Sequence, residues 1–309
     1  MSGLKRYLPA PVRELLRGLR RSARRQRLES GQHHSRTELA AQFASLGITA
    51  GDTLLVHSAL SKIGYVDGGP QTVIDALFDA LGTHGTLVFP TFPFDTYVAE
   101  YLARNVDFDA AATPSRMGRI TEVFRTRPDA VRSLHPTHPV SAVGPKAGYL
   151  TESHHLGPTT FGHHSPFSRL AETGGKILLL GVDFHSMTNL HVVEDTMDGF
   201  PYRVYRPEPV RTTLRDVHGG AHILDVPVHD PALSRLRDCN RMEKPFAERG
   251  VLQTGTVGNA TARLMTAGGV LAAMRELAQA GFTMYDDPHV PEKFRRHAGD
   301  GPPAAGSPR

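Results

Sequence analysis

The chain has 309 residues, of which 39% are hydrophobic and 21% charged, a composition that excludes a fibrous or wholly disordered protein. A single cysteine excludes a disulfide-stapled fold and a zinc site built from cysteines, and the absence of any apolar run near 18 residues excludes a transmembrane segment. The net charge of +4 is uneven, since residues 1–36 carry +8 and residues 289–309 carry +2, whereas residues 37–288 carry −6.

The N-terminal segment predicts a basic helical extension over residues 1–35. Apolar side chains recur at helical spacing at Val12, Leu15, Leu16 and Leu19, which leaves an arginine-rich outer face. Such a helix can pack on the body of the protein, lie on an anionic membrane or contact nucleic acid. The favoured interpretation is a packed helix whose arginine-rich face is solvated. The segment lacks the apolar core of a signal peptide, so we expect a cytoplasmic protein.

The body, residues 36–288, predicts a single α/β domain because short apolar strands alternate with amphipathic helices. The strands are predicted at 53–57, 86–91 and 176–183, and the helices at 36–46, 71–81 and 120–127 and after residue 188. Strands this apolar indicate a central, largely parallel sheet with flanking helices. Residues 203–230 alternate as a smaller antiparallel β excursion, and the Pro/Gly/Ser composition of 289–309 predicts a disordered tail.

Polar residues follow the three predicted strands, and ligands collect at this end of the strands in open α/β sheets. They are His57, Ser58, Leu60, Ser61 and Gly64 after the first, Thr91 and Phe92 after the second, and Asp183, Thr188, His191 and Glu194 after the third. Thr188 can cap the last helix. His191 and Glu194 are three residues apart, so the carboxylate can hold one imidazole nitrogen and make the other a general base. A surface histidine beside a capping acid is the alternative.

Other site types have weaker support. The stretch SALSKIG can offer backbone N–H groups to phosphate or carbonyl oxygens, or form a simple turn, and it has no nucleotide-binding fingerprint. The adjacent histidine pairs point apart in a strand and no H-E-x-x-H occurs, so no metal site is expected. Cys239 is expected to be a small buried hydrophobe rather than a nucleophile, and no G-x-S-x-G serine motif is present.

Six motifs, taken in order, resemble the aminoglycoside 3-N-acetyltransferase family. They are GDTLLVHSALSKIGYVDGGPQTVIDAL (51–77), GTLVFPTF (85–92), TPSRMG (113–118), RSLHPTHPVSAVGP (132–145), GHHSPFSRL (162–170) and KILLLGVDFHSMTNLHVVE (176–194). The resemblance covers about residues 36–270. It implies an acetyl-CoA-dependent N-acetyltransferase with an α/β fold that differs from the GNAT fold.

The resemblance also implies roles for individual residues. Those expected to contact the pantetheine and phosphates of coenzyme A are Ser58, Leu60, Ser61 and Gly64. Those expected to line the same channel are Thr91, Thr113, Ser115 and Gly118. The T-x-L-H-x-x-E motif carries Thr188, His191 and Glu194, which would form the catalytic apparatus. In direct transfer His191 would remove a proton from the attacking amine.

The acceptor is implied to be an amine of an amino sugar, an aminoglycoside or a related natural product. The motifs are flanked by few acids to bind a polycation, namely Asp95, Glu100, Asp107, Asp109 and Glu152. The sequence therefore leaves two biological roles open, antibiotic resistance and natural-product biosynthesis. The alternatives are another acyl-thioester donor, including an acidic carrier protein, a hydroxyl acceptor, or a scaffold without turnover. Nucleic acid is not an expected partner, and a homodimer is compatible with the chain length.

Overall fold

The three predicted strands form the centre of a seven-stranded sheet in the computed structural model, which describes residues 31–104 and 107–296. In spatial order the strands are Gln253–Val257 (β11), Ala260–Thr266 (β12), Lys176–Leu180 (β8), Thr53–Ser58 (β2), Thr86–Pro90 (β4), Val140–Val143 (β7) and Val131–Arg132 (β6). Strands β8, β2 and β4 are parallel, and the strands outside them are antiparallel. The α/β prediction is confirmed, with the parallel part of the sheet at its centre.

Two smaller sheets complete the β-structure of the described residues. Their strands are His33–His34 (β1) with Tyr65–Val66 (β3), and Phe108–Asp109 (β5) with Val210–Arg215 (β9) and Ala221–Val226 (β10). Strands β9 and β10 form an antiparallel hairpin, which confirms the β excursion predicted over 203–230.

Helices cover both faces of the central sheet. They are Arg36–Ser45 (α1), Leu60–Ile63 (α2), Pro70–Leu81 (α3), Val98–Leu102 (α4), Arg119–Arg125 (α5), Ala147–Thr151 (α6), Pro166–Glu172 (α7), Val192–Thr196 (α8), Pro231–Ser234 (α9), Glu243–Glu248 (α10) and Ala267–Gln279 (α11). Successive strand residues point to opposite faces, so Leu54 and Leu55 enter different apolar cores. Both cores are buried, which explains why the central strands are continuously hydrophobic.

The helix boundaries follow the predicted capping signals in two cases and depart from them in a third. The Ser35 hydroxyl accepts a hydrogen bond from the Glu38 amide, and Gly82, at φ 61°, ends α3. The prediction that Thr188 caps a helix is wrong. Thr188 begins a 3₁₀ turn, Thr188–His191, and His191 itself is the residue that precedes α8.

The predicted domain boundaries also need correction. Strand β1 begins at residue 33, inside the predicted extension, and its pairing buries His34. The tail predicted from residue 289 is wrong for 289–296, because Val290 and Phe294 are buried and the Arg296 amide donates to the Pro201 carbonyl. The predicted N-terminal helix and residues 297–309 lie outside the described residues. In the ranges that the structure describes, no helix has the length and apolar character needed to cross a membrane.

Candidate active site

Two connected hollows lie beyond the carboxyl ends of β2 and β8. The inner cavity has a volume of about 460 Å³, and its walls include His57, His138, His191 and Arg237. The outer groove, of about 1020 Å³, runs along α2 and the start of α5. Four residues line both, Ser58, Met117, Val182 and Ser186. A ligand in the groove can therefore reach into the cavity past Ser58.

The outer groove contains five of the residues predicted to contact coenzyme A or to line its channel. These are Ser58, Leu60, Ser61, Gly64 and Gly118. Gly64 adopts φ 103°, and a Cβ there would lie 2.7 Å from the side-chain nitrogen of Asn259, so a larger residue would be strained at this position. The groove also presents the exposed side chains of Arg116, which lies inside the TPSRMG motif, and of Arg119, which lies just beyond it. Guanidinium groups at such a place suit phosphate oxygens.

Three other predicted groove residues are not among those that line it. Thr91 and Thr113 instead hold the buried Arg132, which donates to the Thr91 carbonyl at 2.6 Å and to the Thr113 carbonyl at 2.6 Å. The Ser115 hydroxyl is 2.8 Å from the Thr121 hydroxyl, at the start of α5. These three are therefore placed beside the groove in this structure, and their part in lining the coenzyme channel stays a prediction.

His191 and Glu194 are in contact at the inner cavity, as the sequence predicts. His191 Nδ1 lies 2.8 Å from Glu194 Oε2, and the Glu194 side chain is wholly buried. The Tyr285 hydroxyl donates to Glu194 Oε1 at 2.5 Å, and His229 Nε2 lies 3.4 Å from Oε2. The carboxylate thus has hydrogen bonds to His191 and Tyr285 and a nearby His229 ring, which compensates for its burial. Thr188 lines the same cavity and is 8% exposed.

Arg237 determines which ring nitrogens of His191 and His229 carry a proton. Its Nη1 lies 3.4 Å from His191 Nε2 and its Nη2 lies 3.1 Å from His229 Nδ1. A guanidinium can only donate, so both of these nitrogens must be acceptors and the neutral rings carry their protons on the nitrogens that face Glu194. The lone pair of His191 Nε2 therefore lies at the cavity side, where a general base needs it, and an acceptor amine would take the place of the long contact from Arg237 to reach it.

Burial keeps the histidines of the cavity neutral. Desolvation and the charge of Arg237 hold the pKa of His191 well below its usual value. Desolvation also holds the pKa of His229 well below its usual value, although the charge of Glu194 opposes the shift. A neutral imidazole is the form that can accept a proton, so His191 is in its basic form at neutral pH.

His57 and Ser58 are the two polar residues at the end of the central strand β2. Among the described residues, His57 Nε2 and the Ser58 hydroxyl are buried without a hydrogen-bond partner. Both line the inner cavity, and Ser58 also lines the groove. Buried polar groups are rarely left unpaired, so a ligand at the junction is the natural partner for them.

The buried histidines predict that acid destabilises the fold. Desolvation lowers the pKa of His57 to about 4 and that of His154 to about 3, against about 6.5 in an unfolded chain. The unfolded state therefore binds more protons below pH 6.5, and each such group removes up to about 1.4 kcal/mol of unfolding free energy per pH unit. We expect urea unfolding at pH 7.5, 6.5 and 5.5 to show this decline, with a shallower slope for His57→Gln.

A matched surface variant controls for this effect. The His289 side chain is 72% exposed, so His289→Gln should leave the pH slope as it is in the unmodified protein. An unchanged slope in His57→Gln would show that His57 is not buried in its neutral form.

The residues His191, Glu194 and His229 also form a group that could offer ligand atoms to a metal ion, since these atoms lie within 4.8 Å of one another. The Arg237 guanidinium, however, donates to the other nitrogen of each imidazole, so the nitrogens that face Glu194 carry the protons and have no lone pair for a metal ion. A second cation there would compete with this guanidinium for the one buried carboxylate of the group. The chemistry of this group fits a proton-holding network better than a metal site.

Comparisons with known proteins agree with this geometry. The family model described as aminoglycoside 3-N-acetyltransferase matches residues 55–279, a span that contains the groove residues, His191, Glu194 and Arg237. The chain belongs to the aminoglycoside 3-N-acetyltransferase family. The resemblance stated from the six sequence motifs is thereby confirmed.

Relatives of this family member support the same assignment. Aminoglycoside N(3)-acetyltransferase VIII from Streptomyces fradiae is 40% identical over 175 residues, which cover 52% of this chain and 60% of that protein. The matched region thus spans about three fifths of the curated relative. A solved structure named AAC-IIIb binary with CoASH is 27% identical, with a TM-score of 0.70, and covers 82% of this chain and 98% of its own. AAC-VIa bound to sisomicin is 26% identical, with a TM-score of 0.69, over 81% of this chain and 99% of its own.

Three site residues of this aminoglycoside 3-N-acetyltransferase family member were not selected from the sequence. Arg237 lies 46 residues from His191 and Tyr285 lies 91 residues from Glu194 along the chain, and His229 joins them from the segment after β10. The only sequence signal was the polar stretch RDCNR at 237–241, and it does not reveal the contact. Cys239, in the same stretch, is buried, and desolvation raises the pKa of its thiol to about 12. This protonated thiol is a poor nucleophile, as expected.

Proposed function

We propose that this protein transfers the acetyl group of acetyl-CoA to an amine of a small molecule. The observation that carries the proposal is the lone pair of His191 Nε2, held at the inner cavity by buried Glu194 and Arg237. The outer groove, with Arg116 and Arg119, would hold the coenzyme and deliver its thioester past Ser58. The relatives named above, including one solved with CoASH and one bound to sisomicin, support this assignment.

The proposed reaction is a direct attack of nitrogen on the acetyl carbon. An ammonium acceptor first loses one proton to solvent. His191 then takes the second proton from nitrogen as the C–N bond forms, and it returns that proton to the leaving thiolate when the C–S bond breaks. The sum is ammonium plus acetyl-CoA giving amide, coenzyme A thiol and one proton. The Glu194 carboxylate stabilises the imidazolium that forms in between.

The Ser58 hydroxyl is the proposed donor to the thioester oxygen. Its oxygen is buried and has no partner among the described residues, and it lies at the junction of groove and cavity. Loss of one such donor costs about 10²–10³-fold in rate, so Ser58→Ala should lower kcat by that factor. Steady-state kinetics with acetyl-CoA as the varied substrate would measure it.

Ser61 provides the matched control for this prediction. It lines the groove but not the inner cavity, and it is exposed. Ser61→Ala should therefore act on the KM for acetyl-CoA and leave kcat within about threefold. Equal loss of kcat in both variants would contradict a specific role for Ser58.

The proposed activity is tested by mixing the protein with acetyl-CoA and a panel of amines and following the free thiol. Acceptor-dependent thiol release, with an acetylated amine found by mass spectrometry, is the expected result. Thiol release with a hydroxyl acceptor, or with a longer acyl-thioester only, would contradict the proposal. The comparisons favour acetyl transfer to an amine over these alternatives.

The remaining partner and location assignments stay predictions. A cytoplasmic location agrees with the use of acetyl-CoA. A homodimer and an acidic carrier protein as partner stay predictions from the sequence, as does the absence of nucleic acid among the partners. An acidic carrier protein would suit the basic N-terminal segment, and residues 1–30 of that segment lie outside the described residues.

A further inference from the structure

His138 is a second imidazole on the wall of the inner cavity, and the proposed reaction does not use it. It lies two residues before β7 and lines the inner cavity but not the outer groove. Burial, and after it the neighbouring rings of His191 and His154 and the charge of Arg237, holds the pKa of its ring well below the usual value. His138 is therefore uncharged at neutral pH, and it lies on the side of the site where the acceptor binds.

The neighbouring Thr137 determines which nitrogen of His138 carries the proton. The backbone amides of Thr137 and His138 both donate to His135 Nδ1, at 3.3 Å and 3.1 Å, so the lone pair of that nitrogen is already used. The Thr137 hydroxyl lies 3.2 Å from His135 Nδ1 and 2.9 Å from His138 Nδ1, so it donates to His138. A neutral imidazole has one N–H group, and in His138 this group is therefore at Nε2.

The Nε2–H group of His138 is available to a ligand. Nε2 has no hydrogen-bond partner among the described residues, and unlike His57 Nε2 it is not fully buried. Three phenylalanine rings meet the imidazole edge-on and hold its orientation, with centroids at 4.7, 5.4 and 5.0 Å for Phe92, Phe94 and Phe161. The cavity thus has a fixed N–H donor at His138 as well as a fixed lone pair at His191.

An N–H donor can bind only some of the groups that an acceptor carries. An ammonium group has no lone pair, so the charged amines of a polycation cannot accept this hydrogen bond. The neutral amine that attacks needs its lone pair for the new C–N bond, so it cannot accept the hydrogen bond either. Hydroxyl and ether oxygens have lone pairs available. The partner of His138 on the acceptor is therefore an oxygen.

The position of His138 favours an oxygen of the acceptor over the thioester oxygen. The thioester reaches the cavity at the junction, and His138 is not one of the four residues that line both hollows. The rings of His138 and His191 instead each lie 5.0 Å from the ring of Phe161, so they are at most twice that distance apart. A six-membered ring with its substituents can contact both imidazoles.

We propose that His138 determines acceptor specificity, with its Nε2–H group binding a hydroxyl or ether oxygen of the acceptor while His191 removes the proton from the amine. The inference rests on the proposed acetyl transfer and adds to it the oxygen that the acceptor must carry. An amine and an oxygen on one ring system, as in an amino sugar or an aminoglycoside, suit this pair of imidazoles. Thr137 is a positioning residue, because it acts through His138.

Kinetics with sisomicin as the acceptor separates binding from chemistry. His138→Phe keeps an aromatic ring among the three phenylalanines but removes the N–H group. The KM for sisomicin should therefore rise about tenfold, the effect of one lost hydrogen bond, while kcat stays within about threefold. His138→Gln places an amide N–H group near the same point and should recover most of this loss. A fall in kcat at unchanged KM would overturn the proposal, because it would place the N–H group on the thioester oxygen.

Two further variants separate a specific role from a structural one. Thr137 is fully buried, and Thr137→Val keeps its shape while it removes the hydroxyl. It should raise the KM for sisomicin in the unmodified protein and have no further effect in His138→Phe, whereas equal effects in both would contradict positioning through His138. His185→Phe is the matched control, the same exchange at a half-exposed position of the same cavity, and it should leave this KM unchanged.

The oxygen itself is tested with two diamines that share one ring. 2-Deoxystreptamine carries hydroxyl groups, and cis-1,3-diaminocyclohexane is the same ring without them. In calorimetry on the full chain saturated with coenzyme A, His138→Phe should weaken the binding of 2-deoxystreptamine about tenfold and that of the other diamine by less than about threefold. Equal weakening of both diamines would overturn the proposal, as would no weakening, or no binding, of 2-deoxystreptamine.

Nuclear magnetic resonance separates this inference from the proposed function. In protein labelled with nitrogen isotope in its histidines, the ring shifts report which nitrogen carries the proton, and no turnover is needed. The His138 signals, assigned by their loss in His138→Phe, should be those of the Nε2–H form and should move when 2-deoxystreptamine is added. If they do so and no amine is acetylated, the proposed function fails and the inference stands. A His138 ring that is protonated at Nδ1, or whose signals do not respond to the diamine, overturns the inference even if acetyl transfer is observed.

Discussion

Replacing His191 with glutamine should lower kcat for acetyl transfer by about 10²–10⁴-fold, the usual contribution of a general base. Glutamine keeps a similar size and can still contact Glu194, but it cannot accept the proton of the attacking amine. The KM for acetyl-CoA should change little, because His191 lines the inner cavity and not the outer groove. Steady-state kinetics at saturating acetyl-CoA would measure the loss.

His185 supplies a control of the same residue type at the same cavity. It lines the inner cavity, but its side chain is 50% exposed and faces Asp238 at 3.5 Å. We expect His185→Gln to keep kcat within about threefold. A loss for His191→Gln no larger than this would show that another group removes the proton.

Replacing Glu194 with glutamine should lower both stability and activity. Its wholly buried carboxylate is the anion of the network around Arg237 and accepts from His191 and Tyr285. The amide would leave the guanidinium without its buried counter-charge, and removing one partner of such a pair costs about 3–5 kcal/mol of unfolding free energy. The base would also lose the group that fixes its proton, so kcat should fall by about 10²-fold or more.

Two measurements test this prediction. Urea unfolding gives the stability change, and Glu243→Gln is the reference because Glu243 pairs with Arg263 at the surface with 38% exposure. A surface pair contributes about 0–1 kcal/mol, so the reference should lose far less. If Glu194→Gln loses no more stability than Glu243→Gln, the carboxylate is not the buried anion that the structure describes. Kinetics on the folded fraction then gives the separate catalytic loss.

The central strands were predictable from the sequence because their hydrophobic pattern matches their burial in the fold. Strands β2, β4 and β8 are apolar on both faces, and the sheet is buried on both faces. The wrong predictions concern short segments whose conformation is determined by contacts with residues that are distant in the sequence. Val290 and Phe294 sit in a polar, proline-containing segment with no periodicity, so only their packing against the body shows that they are part of the domain. Thr188 enters a 3₁₀ turn that its hydroxyl alone does not predict.

The candidate site also combines contacts that the sequence could predict with contacts that it could not. The contact of His191 with Glu194 is local, and a spacing of three residues was enough to predict it. Arg237, His229 and Tyr285 reach the same carboxylate or imidazole from elsewhere in the chain, so no spacing rule could find them. Thr91 and Thr113 were assigned by resemblance to the coenzyme channel, and in this chain their backbone carbonyls accept hydrogen bonds from Arg132.

The hydrogen bond from the Tyr285 hydroxyl to Glu194 makes catalysis depend on how the last described segment packs on the domain. Tyr285 belongs to the last part of the described chain, and its neighbour Asp286 donates its amide to the Leu236 carbonyl near Arg237. Detachment of this segment would strip the carboxylate of a donor and loosen the guanidinium while the coenzyme groove stayed intact. A molecule opened in this way would still bind acetyl-CoA but would not transfer the acetyl group. The rate of acetyl transfer therefore depends on the packing of residues that do not line the cavity.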